Sequence, residues 1–151
     1  MKASAGLMPY RRARGGVEVF LVHPGGPFWG RKDAGSWTIA KGEPQPGEDD
    51  LAAAIREFSE ETGFEVNGPF LDLGVVKQAG GKTVHGYACA FDCDPDRLVS
   101  NMFQLEWPPG TGKLNAFPEV DRAAWFDPAE ARRKINPAQA GFLDMLEAAL
   151  G

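Results

Sequence analysis

Residues 42–64 read GEPQPGEDDLAAAIREFSEETGF, and the order of fold and chemistry in this chain starts there. Leu51, Ala54, Ile55 and Phe58 recur at i, i+3, i+4 and i+7, the spacing of one apolar stripe on an α-helix. Pro46-Gly47 provides a turn before the stripe. Glu48, Asp49 and Asp50 suit the positive N-terminal end of a helix, and Gly63 is placed to take the left-handed conformation after its last turn. The spacing predicts a helix over about 49–62. On it, Glu57, Glu60 and Glu61 fall within an arc of about 100°, bordering the stripe. Like charges so spaced cost roughly 0.2–0.5 kcal/mol per pair, and no Lys or Arg follows four residues after any of the three. Arg56 is the one base nearby. Such a segment is either a solvated acidic face or a cation site. Convergent carboxylates are what Mg²⁺ or Mn²⁺ takes, with waters and substrate phosphates completing the shell.

The whole chain sharpens that choice. It has 151 residues, 16 Lys+Arg, 21 Asp+Glu and a net charge of −5. Between Gly42 and Glu65 stand eight acids and one base, a local −7, which leaves +2 for everything else. The length suits one domain, and 43% hydrophobic residues argue against disorder. No apolar run is long enough to span a bilayer and the first residues lack a signal-peptide core, so a soluble cytoplasmic protein without a membrane partner is expected. Cys89 and Cys93 make no disulfide framework. If YACAFDCD is a strand, they lie roughly 13 Å apart, beyond bridging distance.

Outward from the helix, Ser4–Arg12 and Val17–Val22 read as strands around a turn at Arg14-Gly15-Gly16. The segment from His23 to Gly30, HPGGPFWG, reads as a loop and Trp37–Ala40 as a short strand. Downstream, strands are expected at Phe70–Lys77 and Thr83–Phe91, joined by a hairpin at Gly80-Gly81. Further strands are expected at Met102–Trp107 and Ala123–Phe126, with Pro108–Lys113 as a loop. Asp127-Pro128 and Asn136-Pro137 each pair an N-cap residue with proline at the first helical position. The pattern is α+β, helices packed on a mixed sheet.

The 42–64 segment resembles the Nudix box, G-x5-E-x7-R-E-U-x-E-E-x-G-U, where U is a bulky apolar residue. Gly42, Glu48, Arg56, Glu57, Phe58, Glu60, Glu61, Gly63 and Phe64 fill every defined position. SAGLMPYRR, WTIAKG and FPEVDRAAWF look like further Nudix segments, so the resemblance covers most of the chain; Ala40 stands where the pattern often has proline. It implies a single Nudix domain over 1–151, an α/β/α sandwich with a mixed β-sheet. It also implies hydrolysis of a phosphoanhydride bond in a nucleoside diphosphate linked to another moiety, with Mg²⁺ or Mn²⁺. By position, Glu57, Glu60 and Glu61 would be metal ligands, Glu48 an outer or additional one, and Arg56 the group that orients them. Gly42 and Gly63 would shape the turns at the ends of the helix. The general base stays open among Glu57, Glu119 and Glu106.

For the substrate, Lys41, Arg31 and Lys32 are candidates for phosphates, and Phe28 and Trp29 for stacking on a base. WTIAKGEPQPGEDDLAAAIRE is similar to asymmetric dinucleoside tetraphosphate hydrolases. Ala79, Gly80, Gly81 and Lys82 occupy the window where that group expects tyrosine and ADP-ribose pyrophosphatases expect proline. This argues against ADP-ribose and weakens the diadenosine reading without removing it; a dinucleoside polyphosphate such as diadenosine tetraphosphate and nucleoside triphosphates, oxidised ones included, both stay open. The alternative class is a non-catalytic nucleotide-binding sensor; the full set of box acids favours the enzyme. No basic stripe with interleaved aromatics points to nucleic acid. Nothing in the sequence assigns an oligomeric state.

Overall fold

Val19-Phe20-Leu21-Val22 is buried on both faces, and this run divides the core. Alternate side chains of a strand leave by opposite faces. Val19 and Leu21 enter a cluster with Trp37, Ile39, Ile135, Phe142 and Leu146, while Phe20 and Val22 join Leu7, Ala53, Ala54 and Phe58. In the computed structural model, which describes residues 2–151, the strands therefore carry a helical layer on each side. This is the α/β/α arrangement expected.

The elements are β1 (Ala3–Leu7), β2 (Tyr10–Ala13), β3 (Gly16–Pro24), β4 (Ala40–Gly42), α1 (Asp50–Thr62), β5 (Leu71–Lys77), β6 (Thr83–Ala88), β7 (Met102–Glu106), β8 (Leu114–Pro118), β9 (Val120–Phe126), α2 (Pro128–Lys134) and α3 (Ala140–Leu150). One sheet runs β4-β1-β6-β5 and is mixed, with β1 parallel to β6 and the other pairs antiparallel. A second runs β2-β3-β9, and β7-β8 forms a separate hairpin.

Several boundaries differ from the sequence expectation. The expected first strand is two, because Pro9 has no N–H for a ladder. At Met8-Pro9 the chain leaves one sheet for the other, Met8 N bonding Tyr87 O and Phe20 N bonding Pro9 O at 2.8 and 2.9 Å. Trp37–Ala40 is not a continuous strand. Thr38 pairs with Val22, and the ladder to β1 begins only at Ala40, the change of partner falling at Ile39. The β6 strand stops at Ala88, so Cys89 and Cys93 lie beyond it, both free. Strand β8 was not foreseen, and β9 starts three residues earlier than Ala123. The mostly exposed β7-β8 hairpin has no buried face to impose a strong alternation.

Helix α1 forms as expected. Asp49 caps it, its Oδ1 accepting from Ala52 N at 2.8 Å, and Gly63 closes it at φ 78°, donating to Ser59 O. Its buried face differs, comprising Ala53, Ala54, Phe58, Glu61 and Thr62, with Leu51 and Ile55 only half-buried. The stripe is rotated so that alanines face the neighbouring strands. Glu61 consequently lies within the packed face rather than beside it.

Candidate active site

Arg56 organises the acids of α1. Its Nε and Nη2 donate to Glu48 Oε2 and Oε1 at 2.9 and 3.0 Å, a two-pronged contact across a planar carboxylate. Its Nη1 donates to Glu57 Oε1 at 2.9 Å and to Glu60 Oε2 at 3.2 Å, while Nη2 also reaches the Glu43 carbonyl. Hydrogen bonding to Arg56, with a further bond from Gln45 N, holds Glu48 below its ordinary carboxylate value, and the Arg56 pKa is raised in turn.

Glu61 is the opposite case. It is only 9% exposed and forms no ion pair among the described residues. Burial, then a hydrogen bond with Glu57 and the charges of Glu57 and Glu119, push its pKa up to about 9, with Lys41 opposing. The dry surroundings and the neighbouring Glu57 carboxyl thus both disfavour charge on Glu61. Glu119, at the β8–β9 junction, is raised in the same direction by desolvation and by Glu57. Its backbone ties this junction to the His23–Gly30 loop through Gly25 N and to Asn101 O, both at 2.9 Å.

These groups sit where two cavities meet. One, of about 350 Å³, is lined by Trp29, Ser36, Thr38, Gln78, Asn136 and Gln139 among others. The second, of about 280 Å³, includes Lys2, Ser4, Lys82, Asn101 and Glu57. Lys41, Glu61 and Glu119 line both. Among the described residues, Lys2, Lys41 and Lys82 form no ion pair, and Lys41 acts on Glu61 and Glu119 only at longer range. A third cavity, of about 390 Å³ beneath α3, is lined mainly by Val17, Val19, Leu143, Leu146 and Leu150 and holds no carboxylate pair.

Of the residues singled out from sequence, Glu57, Glu61, Glu119 and Lys41 are brought together, with Glu48 and Glu60 attached through Arg56. Gly42 lies directly beneath Glu57. Trp29 reaches the cavity of about 350 Å³ and Lys32 lies over its ring, Nζ 4.8 Å from the centroid. Phe28 packs edge-on against Trp107 at 5.2 Å and lines none of these cavities, nor does Arg31. Glu106 is committed to its own hairpin, accepting from Gly112 N at 2.7 Å. Sequence reasoning missed Lys2, Lys82, Gln78, Asn136 and Gln139. They come from three separate stretches of the chain, at 2, 78–82 and 136–139, so only folding assembles them.

A family model described as "NUDIX domain" matches residues 2–146. The chain belongs to the Nudix family. The asymmetrical bis(5'-nucleosyl)-tetraphosphatase of Caenorhabditis elegans is 41% identical over 58 residues, a stretch spanning 38% of this chain and 38% of that protein. A C. elegans Ap4A hydrolase binary complex superposes with a TM-score of 0.64 at 23% identity, covering 99% of this chain and 98% of that one. The NUDIX domain of Shewanella oneidensis NrtR complexed with ADP ribose gives a TM-score of 0.70 at 14% identity, covering 100% and 89%. At these identities the structural likeness establishes the Nudix fold.

Divalent cations are general cofactors of the Nudix family. The donor set in this chain fits one: Glu57 and Glu61 offer hard oxygen ligands, and the proton that Glu61 retains is what a cation would displace. As the side chains stand, no three His, Cys, Asp or Glu among the described residues form a ready cage, because Arg56 holds Glu48, Glu57 and Glu60 toward itself. Among the described residues, no helix is long and apolar enough to cross a membrane.

Proposed function

We propose that this chain is a pyrophosphohydrolase, dependent on Mg²⁺ or Mn²⁺, that cleaves a phosphoanhydride bond in a nucleotide carrying several phosphates. The substrates that fit are a dinucleoside polyphosphate such as diadenosine tetraphosphate, or a nucleoside triphosphate, oxidised forms included. The observation that carries this reading is the Glu57–Glu61 carboxyl pair, adjoining both the amide-rich cavity and the lysine-bearing one. A nucleoside enters the former, and its phosphates cross the carboxylates toward Lys2, Lys41 and Lys82.

In this reading Glu57 and Glu61, joined by Glu60 and Glu48, would hold the cation. When bound, the cation neutralises phosphate oxygens and lowers the pKa of water. Arg56 keeps the glutamates oriented. Glu119 accepts the proton of the attacking water at its carboxylate, a task helped by a pKa above the ordinary carboxylate value. Lys41, lining both cavities, offsets charge on the departing phosphate. Trp29 offers a flat apolar wall for the base.

The test is turnover with Mg²⁺ and with Mn²⁺ on diadenosine tetraphosphate, nucleoside triphosphates including an oxidised guanine form, and ADP-ribose, with products identified. Glu57→Gln and Glu61→Gln should each remove most activity in a folded protein. No turnover on any substrate, with either cation, would reject the enzyme reading. Tight binding without hydrolysis would establish a sensor instead.

A further inference from the structure

The amide of Gln78 has a forced orientation. Gln139 is fully buried, and its Oε1 accepts from the backbone N–H of Ile39 at 3.0 Å. A backbone N–H only donates, so the Gln139 oxygen must face it and its NH₂ must point the other way. That NH₂ donates to Thr38 Oγ1 at 2.8 Å and to Gln78 Oε1 at 2.9 Å. Thr38 gives its own hydrogen to Ile39 O at 2.9 Å, which leaves its oxygen free to accept. Reversing either amide would set donor against donor. Gln78 therefore turns its oxygen inward, and its Nε2 has no protein acceptor among the described residues. The side chain is half-buried on the wall of the cavity of about 350 Å³.

We propose that Gln78 selects the base, its Nε2 donating to an acceptor-bearing base edge, and that Gln139 is the positioning residue that holds it so. This rests on the reading of that cavity as the nucleoside site. A 6-oxopurine presents two neighbouring acceptors, O6 and N7, to such a donor. Adenine keeps N7 but replaces O6 with an amino group, so one hydrogen of the amide can still find N7 while the other meets a donor. The selection is thus for 6-oxopurine over 6-aminopurine nucleotides, which among the proposed substrates favours guanine nucleotides over diadenosine tetraphosphate. A site that leaves a polar group unpaired against the wrong ligand discriminates, and for a half-buried amide the ratio is about 10-fold.

The experiment compares kcat and KM for GTP, ITP and ATP, and equilibrium binding of the same nucleotides, in the wild type and in Gln78→Glu. A glutamate can accept from Gln139 with one oxygen and present the other to the base as an acceptor. The wild type should favour GTP and ITP over ATP by about 10-fold, mainly through KM, and Gln78→Glu should reverse that order. Gln139→Met, which frees the Gln78 amide to rotate, should bring the ratio toward one, provided its Tm shows it folded. An unchanged base preference in Gln78→Glu, or none in the wild type, overturns the proposal. Base-selective binding without turnover would sink the hydrolase reading and leave this inference standing. Absence of both binding and turnover would overturn the two together.

Discussion

The carboxyl group of Glu57 occupies the space in which a side chain on Gly42 would begin. A Cβ on Gly42 would lie 2.1 Å from Glu57 Cδ and 2.3 and 2.4 Å from its oxygens. Gly42 is not among the glycines with positive φ, so space and not backbone freedom demands glycine there. Gly42→Ala should therefore fold and yet displace Glu57. The expected outcome is a fall in kcat/KM of about 10²-fold, since a displacement near 1 Å costs that much. Near-wild-type turnover would show that Glu57 need not occupy this position.

Arg56 is the hub for Glu48, Glu57 and Glu60, and its fork has no counterpart in lysine. Arg56→Lys should lower stability by about 1 kcal/mol, discounted for solvent access, or about 2–4 °C in Tm. It should also weaken Mn²⁺ binding measured by calorimetry. Unaltered affinity would mean that the glutamates orient themselves.

Glu61 makes stability depend on pH. Unfolded, it ionises near 4.5; folded, it keeps its proton until about 9. Across that window the unfolded state binds fewer protons, so the Glu61 contribution to stability falls as pH rises. Without divalent cations, Glu61→Gln should thus melt several degrees higher than wild type at pH 8 and near it at pH 4. Addition of Mg²⁺ at pH 8 should release a proton from wild type and none from the variant. Identical pH profiles would remove the buried acid from the account.

The lysines of the smaller cavity were invisible as a group in the sequence. Lys2→Ala and Lys82→Ala should raise KM several-fold for substrates with four phosphates and less for those with two. Both should flatten the salt dependence of KM, because exposed charges act through a screened field. Equal effects at either chain length would place the phosphates elsewhere.

His85 bridges α1 to the four-stranded sheet, its Nδ1 and Nε2 each 2.8 Å from Asp50 and Asp72. Burial lowers its pKa, but the two carboxylates outweigh this and leave it raised. Its stabilisation is complete below about pH 6.5 and is lost as pH climbs through the raised folded value. The aspartates are substantially exposed, so His85→Asn should cost under about 1 kcal/mol at pH 5.5, and less at pH 9. A loss that grows with pH would contradict the pairing.

Local rules accounted for what is local. The caps at Asp49 and Gly63, the helix between them and the proline-led start of α2 follow from short-range hydrogen bonding and formed as expected, whereas Asn136-Pro137, expected to open a helix, caps a single tight turn and α3 begins only at Ala140. The relation of Arg56 to its glutamates was implied by the Nudix resemblance; helix spacing accounts for Glu60 at i+4 but not for Glu48, eight residues earlier and outside the helix. What failed needed knowledge of a neighbour. The strand expected at Trp37–Ala40 broke because the Ile39 N–H bonds Gln139, a hundred residues away. The acidic stripe was placed one step out of register because alanines, not Leu51 and Ile55, fit the close approach to the strands.

By itself, then, the sequence determined the family, the acid-bearing helix and the local clustering of its acids, for these depend on spacing within a few turns of chain. Only the tertiary structure decided which glutamate is buried, which lysines gather beside it and which amides line the cavity. Burial and charge interaction depend on distance in space, and distance in space between residues as far apart as Lys2, Glu61, Gln78, Glu119 and Gln139 exists only once the sheets have paired.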